Sequence, residues 1–390
     1  MSSELPAIPQ RKGGSLGAPI WAAVALAGAG IWAACAGGEV EQTARAWRGL
    51  LVAFLFFTPL AAGMVVWSAV VALFHGRWVV GIERWALGGA AMAPLSLAAY
   101  VVLWMGGMHC GAWSRQPLAG QEFWFGQTFV LARDLAGLIL LWGLSWWYVR
   151  RRTVGGTACL QAVRTGCKHP VPPPGALSAV LALTYAGVMT LLALDLAMSL
   201  DPRWYSTLFG GYFLTAGLYA AAAAWTLAAL LSRSASDSQR HDLGMILVAM
   251  ALITTYMMYS QLLPIWYGNL PRETRYVVPR LREPPWTSVS AALLAAAYLG
   301  PLVLLLSRGA KRCPFCLGAV SVLILAGLWL ERWWLVTPAI VKEYPTDAPG
   351  LSSIGLADLA AAAAFAGALG LALTRFAPKE PEHWRPEVDA

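Results

Sequence analysis

The chain has 390 residues, 58% of them hydrophobic and 12% charged, with a formal net charge of +8. Soluble domains carry roughly 25% charged residues, so this composition excludes an ordinary soluble protein. Apolar runs of about twenty residues are long enough to cross a ~30 Å hydrocarbon layer as helices; a transmembrane barrel, with polar and apolar residues alternating in short strands, does not fit, and no basic stripe interleaved with aromatics points to nucleic acid.

Ten membrane spans are predicted, at 18–36, 49–73, 85–105, 124–149, 177–200, 206–231, 242–264, 286–306, 314–336 and 353–374. The expected fold class is therefore an all-α polytopic membrane protein: one ten-helix domain over 18–374 between tails at 1–17 and 375–390. The spans divide as one, four, four and one, giving two four-helix bundles at about 49–200 and 206–336 with a flanking helix at each end. Spans two and six run the same way, as the openings of a parallel repeat would. Connections are short except 150–176 and 265–285, both rich in proline and arginine. Lysine and arginine are denser in the tails and in the connections on their side, which predicts both termini in the cytoplasm.

Charged groups inside a span are costly and mark either function or buried pairing. Arg133 and Asp134 fall in span four and Asp195 in span five. Neighbours i and i+1 on a helix do not face each other, so one of Arg133 and Asp134 needs a partner on another helix, and Asp195 is the best candidate. Two readings stand side by side: an ion pair that fixes helix register, or part of a proton path. Span seven adds Thr254, Thr255, Tyr256, Tyr259, Ser260 and Gln261. At 1.5 Å per residue, these groups share a level in the outer half of the bilayer. His241 and Asp242 open span seven, with Asp242 either a helix cap or, with His241, a proton entrance. The outer connection after span seven holds Arg272, Arg275, Arg280 and Arg282. A basic cluster on the disfavoured side reads as a docking surface for an extracytoplasmic partner, or as pairing with Glu273, Glu283 and lipid phosphates.

The five histidines (His75, His109, His169, His241, His383) lie in connections or at span ends, which argues against haem ligation inside the membrane. Cys35 and Cys110 fall on the outer side, and Cys159, Cys167, Cys313 and Cys316 on the inner side. Cys313-Pro314-Phe315-Cys316 has the spacing of a redox or metal half-site without the βαβ context of a thioredoxin fold. Four inner cysteines could hold zinc; separate reduced thiols are the simpler reading. No metal site is assigned, and no motif for a soluble cofactor or a catalytic nucleophile occurs.

Several ordered motifs carry a family resemblance. They are Leu194-Asp195-Leu196-Ala197-Met198-Ser199-Leu200-Asp201-Pro202-Arg203-Trp204-Tyr205, running on to Phe213; His241-Asp242-Leu243-Gly244; Tyr259-Ser260-Gln261; Ile265-Trp266-Tyr267-Gly268-Asn269-Leu270-Pro271-Arg272-Glu273-Thr274; Leu305-Leu306-Ser307-Arg308; and the Trp-rich end of span nine with Trp329, Trp333 and Trp334. In these the chain resembles the ActF family, the smaller NrfD-like (polysulfide-reductase-type) membrane subunit of bacterial alternative complex III, over roughly residues 50–345. The resemblance implies a ten-helix NrfD-like fold in the bacterial cytoplasmic membrane. It also implies membership of a respiratory complex that oxidises menaquinol or another quinol and passes electrons to cytochrome c or an oxidase. The implied partners are a second NrfD-like subunit, an iron–sulfur subunit, and multihaem and monohaem cytochrome c subunits, which hold the haem c and iron–sulfur clusters. This chain itself then binds no redox cofactor and serves as scaffold and proton conductor. The alternatives are an NrfD-like anchor that itself binds and oxidises quinol, and an independent secondary transporter.

Overall fold

A computed structural model describes residues 17–76, 78–106, 123–124, 126–164, 175–201, 204–343 and 349–377. Outside them lie most of both tails with His383, the stretches holding His109, Cys110, Cys167 and His169, and Pro202 and Arg203; the side chain of Cys159 is likewise outside. The four-cysteine zinc reading therefore falls largely beyond the described residues.

The protein is an all-α polytopic membrane protein. Among the described residues there is no strand, and ten helices are long and apolar enough to span a bilayer. The spans are α1 (Gly17–Ala36), α2 (Val40–Leu73), α3 (Glu83–Met105), α4 (Gln127–Arg164), α5 (Ala176–Leu196), α6 (Phe209–Leu231) and α7 (Asp237–Gly268). A non-spanning helix α8 (Pro271–Arg282) follows, then α9 (Trp286–Leu304), the short α10 (Arg308–Arg312), α11 (Pro314–Glu343) and α12 (Leu356–Phe376). An even number of crossings brings the two ends of this chain segment to one face.

Two spans are longer at their starts than hydropathy indicated. Helix α2 begins at Val40 rather than 49, because Glu41, Arg45 and Arg48 in its first turns find partners: Arg45 pairs with Glu41 at 2.6 Å, and Arg48 with Asp358 of α12. Helix α7 begins at Asp237, capped by Ser236, whose side chain and that of Gln239 form a reciprocal capping box. The two long connections also hold helix. Helix α4 runs on to Arg164, and 271–282 forms α8, started by Pro271 in the first turn.

Helix α2 is the axis of the molecule, and nearly all its membrane stretch is buried. It packs on α3, α4, α5 and α6, and on the paired α1 and α12. Helices α2 to α5 make one bundle; α6, α7, α9 and α11 make the other. The openings of the two bundles, α2 and α6, pack on each other along the Ala220–Ala224 run of α6, every residue of which is buried. On the face where α1 begins, Arg152 of α4 holds Glu83 of α3 at 2.6 Å. Gln239 of α7 donates to the carbonyls of Trp78 and Val80 at 2.8 and 2.7 Å, tying the bundles together at the same level.

Candidate functional site

The first polar cluster sits in the bundle of α2–α5, near the face opposite the start of α1. Arg133 stands in the second turn of α4, roughly 9 Å along from Gln127, and Asp195 in the last turn of α5. Arg133 Nη2 meets Asp195 Oδ2 at 2.5 Å, so the inter-helix pair expected from the sequence forms. Asp134 is closer to this pair than the i, i+1 argument implied: Arg133 Nε lies 3.7 Å from Asp134 Oδ1. That contact is electrostatic, since neither Arg133 Nε nor Asp134 Oδ1 has a hydrogen-bond partner and both atoms are buried. Sequence reasoning missed Tyr100 on α3, whose hydroxyl donates to Asp134 Oδ2 at 3.3 Å. Asp134 and Asp195 are almost wholly shielded, at 1% and 3% exposure. The guanidinium of Arg133 lies 4.3 Å over the ring of Trp124 and 5.2 Å over that of Phe129, a cation–π seat that closes the cluster toward the aqueous edge. Three helices thus hold two carboxyls, one guanidinium and a phenol.

A second cluster was missed in the sequence because it lies in a Trp-rich stretch that reads as a span end. Glu331 and Arg332 are inside α11, roughly 26 Å along from Pro314, and 1% and 2% exposed. Arg332 Nη1 is 3.6 Å from Glu331 Oε1, its Nη2 donates to the Phe213 carbonyl at 3.1 Å, and it lies 3.7 Å over the Phe213 ring. Both carboxyl oxygens of Glu331 lack a hydrogen-bond partner. Glu331 lines a cleft of about 190 Å³ formed by α6, α7, α8, α9 and α11. Gln261, Tyr212 and Tyr298 also line it, among Leu262, Leu293, Trp334 and the stacked rings of Trp204 and Tyr276. The Tyr212 and Tyr298 hydroxyls are 2.8 Å apart. Tyr298 stands on a π-helical turn, Leu294–Leu299, of α9; such turns recur at functional sites. The exposed Leu281 and Leu294 mark the open side of the cleft.

The polar run of span seven divides between two faces of α7. Thr254 is buried and Gln261 reaches the cleft, its Nε2 buried without an acceptor. Thr255 turns its hydroxyl back to the Ala251 carbonyl at 2.6 Å, and Ser260 is half-buried. Tyr256 and Tyr259, expected on an interior path, face outward with 65% and 54% exposure, because the helix places them between about a third and half of a turn from the packed face. His241 and Asp242 stand in the second turn of α7, 3.7 Å apart and partly exposed. Ser236, not Asp242, caps the helix. Their turn lies roughly 30 Å along α7 from Gln261, so the structure does not bring them to either cluster.

The arginines of α8 also divide. Arg272, Arg275 and Arg282 are exposed. Arg280 is not part of the surface: it is 1% exposed, donates to the carbonyls of Tyr276 and Leu335 at 2.8 and 3.3 Å, and lies 3.7 Å over the Tyr276 ring. Burial lowers the pKa of Arg280 from its ordinary value and raises that of Tyr276. Helix periodicity explains the split, since Tyr276 and Arg280 share the inward face at i, i+4. No family model and no curated protein sequence matches the chain.

Proposed function

We propose that this chain is an integral subunit of a quinol-oxidising electron-transfer complex of the alternative complex III kind in a bacterial cytoplasmic membrane. It scaffolds the redox subunits and carries protons through its first bundle. The motifs around Asp195, His241, Tyr259 and Trp266 support the family reading, and the ten-helix, two-bundle architecture agrees with it. The observation that carries the proton role is the cluster of two buried carboxyls against one guanidinium. Charge neutrality there requires one proton, and two unionised or shared arrangements of Asp134 and Asp195 differ only in where it sits. The test is Asp195→Asn in the assembled complex. Proton release per electron should fall at least about twofold while haem content stays constant; an unchanged ratio rejects Asp195 as a relay.

In this reading both termini are cytoplasmic, the partners are a second NrfD-like subunit, an iron–sulfur subunit and the haem c subunits, and the exposed arginines of α8 meet one of them on the outer side. A second reading is favoured by the cleft at Glu331: the chain itself binds quinol. A hydroxylated ring on an apolar tail matches an aromatic slot with a carboxyl to accept and an amide to donate a hydrogen bond. Photo-crosslinking with an azido-quinone should label α9 or α11 peptides in the intact complex and lose that label in Glu331→Leu. Labelling confined to another subunit rejects this second reading.

A further inference from the structure

Cys313 and Cys316 belong to neither cluster, and the reading above leaves them without a role. Cys313 ends α10 and precedes α11. Its amide donates to the Gly309 carbonyl at 3.0 Å and its carbonyl accepts from the Leu317 amide at 3.0 Å. Its backbone is extended, with φ −69° and ψ 116°. This is the geometry of a helix N-cap, with Pro314 at the first helical position and Cys316 at the third. A side chain there points toward the free amides of the first turn, those of Phe315 and Cys316. The two cysteines stand three residues apart at the start of α11, are each half-exposed, and are not bridged. Arg240 stands alongside, anchored through its Nε to the Arg312 carbonyl at 2.9 Å. The Cys316 amide first, then the neighbouring thiol and Arg240, pull the Cys313 thiol below its ordinary pKa.

We propose that Cys313 and Cys316 form a thiol–disulfide exchange site whose substrate is a small-molecule disulfide arriving at the membrane face on which α1 begins. Cys313 is the nucleophile. Its thiolate attacks one sulfur of the disulfide, forms a mixed disulfide and releases the first thiolate. Cys316 then attacks Cys313 Sγ and displaces the second. The two protein thiols become one disulfide, the substrate is reduced to two thiols, and the two protons lost by the cysteines end on those products. Spacing suits the second step, because N-cap and third position are held on one turn and the second attack needs no movement of α11. The amides that stabilise the thiolate also make Cys313 the better leaving group when the bond is reduced again.

The test uses the full chain in its membrane or in mild detergent, with oxidised glutathione as the probe, followed by iodoacetamide and peptide mass mapping. The wild-type peptide holding both residues should lose both alkylation sites and two hydrogens. Cys316→Ser should instead retain one glutathione on Cys313, and Cys313→Ser should retain none. Without glutathione, iodoacetamide at neutral pH should label Cys313 about tenfold faster than Cys35. The wild-type map stands independently of whether either variant folds. Full alkylation of both wild-type thiols after oxidised glutathione, or a Cys316→Ser protein that takes up none, overturns the proposal.

Discussion

At the scale of single residues, the Arg133 cluster is asymmetric and its variants should be too. Replacing Arg133 by leucine leaves two nearly inaccessible carboxyls without a counter-charge. Removing one member of a buried pair costs roughly 3–5 kcal/mol, so Arg133→Leu should lower the thermal midpoint of the detergent-solubilised protein strongly. Asp195→Asn keeps the side-chain shape and leaves Arg133 with Asp134 at 3.7 Å; its cost should be about 2 kcal/mol, that of one charged hydrogen bond. Equal losses in a fluorescence-detected melt would count against the cluster's acting as a unit. The second bundle offers a milder case. Glu331 is the counter-charge of the buried Arg332 at 3.6 Å without a hydrogen bond between them, so Glu331→Gln should lower the midpoint, but by less than Arg133→Leu; an unchanged midpoint would mean that the pair contributes nothing. Arg133 and Asp195 could be matched from the sequence because a charge inside a span calls for a partner and adjacent residues of a helix do not face each other. Tyr100 could not, since a tyrosine in a span reads as ordinary core or interface.

At the scale of elements, α12 is attached to α2 by one buried ion pair and a seam of small residues. Arg48 of α2 donates to Asp358 through Nε at 3.1 Å and to the Ser353 carbonyl at 3.1 Å. Asp358 also accepts from the Gly355 amide at 2.8 Å, closing the first turn of α12. Asp358→Ala removes both functions, a loss of roughly 3–5 kcal/mol for the pair and about 1 kcal/mol for the cap. Its expected signature is early proteolytic cleavage near residues 344–355 while α2–α11 stay protected; protection equal to wild type would argue against the attachment. The α1–α12 seam is close-packed at Gly28 and Gly367. A Cβ on Gly28 would lie 2.6 Å from the Ala364 amide nitrogen, and one on Gly367 would lie 2.5 Å from that of Ala25. Gly28→Leu should therefore separate α1 from α12 without disturbing either bundle, measurable as loss of an α1–α12 cysteine crosslink.

At the scale of the whole molecule, two bundles share one axis and display α8 on the face away from the chain ends. Reversing Arg275 and Arg282 together changes exposed charge. It should leave the melting temperature within about 1 °C, in line with the small effects of surface substitutions, while making retention of an outer partner subunit fall as salt rises. Full retention at all salt concentrations would count against docking there. Arg280→Glu should behave otherwise, since it replaces a buried guanidinium by a carboxylate on the inward face of α8; its effect should be on stability before it is on association.

The amino-acid sequence by itself determined the class and the count of spans, because a helix must be apolar over about twenty residues to cross hydrocarbon and nothing else in the chain satisfies that condition. It also made Asp195 the best candidate partner for Arg133, because an isolated charge at that depth is too costly to leave alone. Where helices begin was less legible: Arg48 reads as a connection residue, and only its remote partner Asp358 makes it affordable inside the fold. The tertiary structure alone decided which side of α7 faces inward, sending Gln261 to the cleft and Tyr256 and Tyr259 outward, and which arginine of α8 is buried. It also decided that Glu331, unremarkable beside three tryptophans in the chain, stands at the wall of a cleft made by five helices. Hydropathy measures how a residue partitions on average, whereas its exposure and partners depend on helix rotation and on residues far away in the chain.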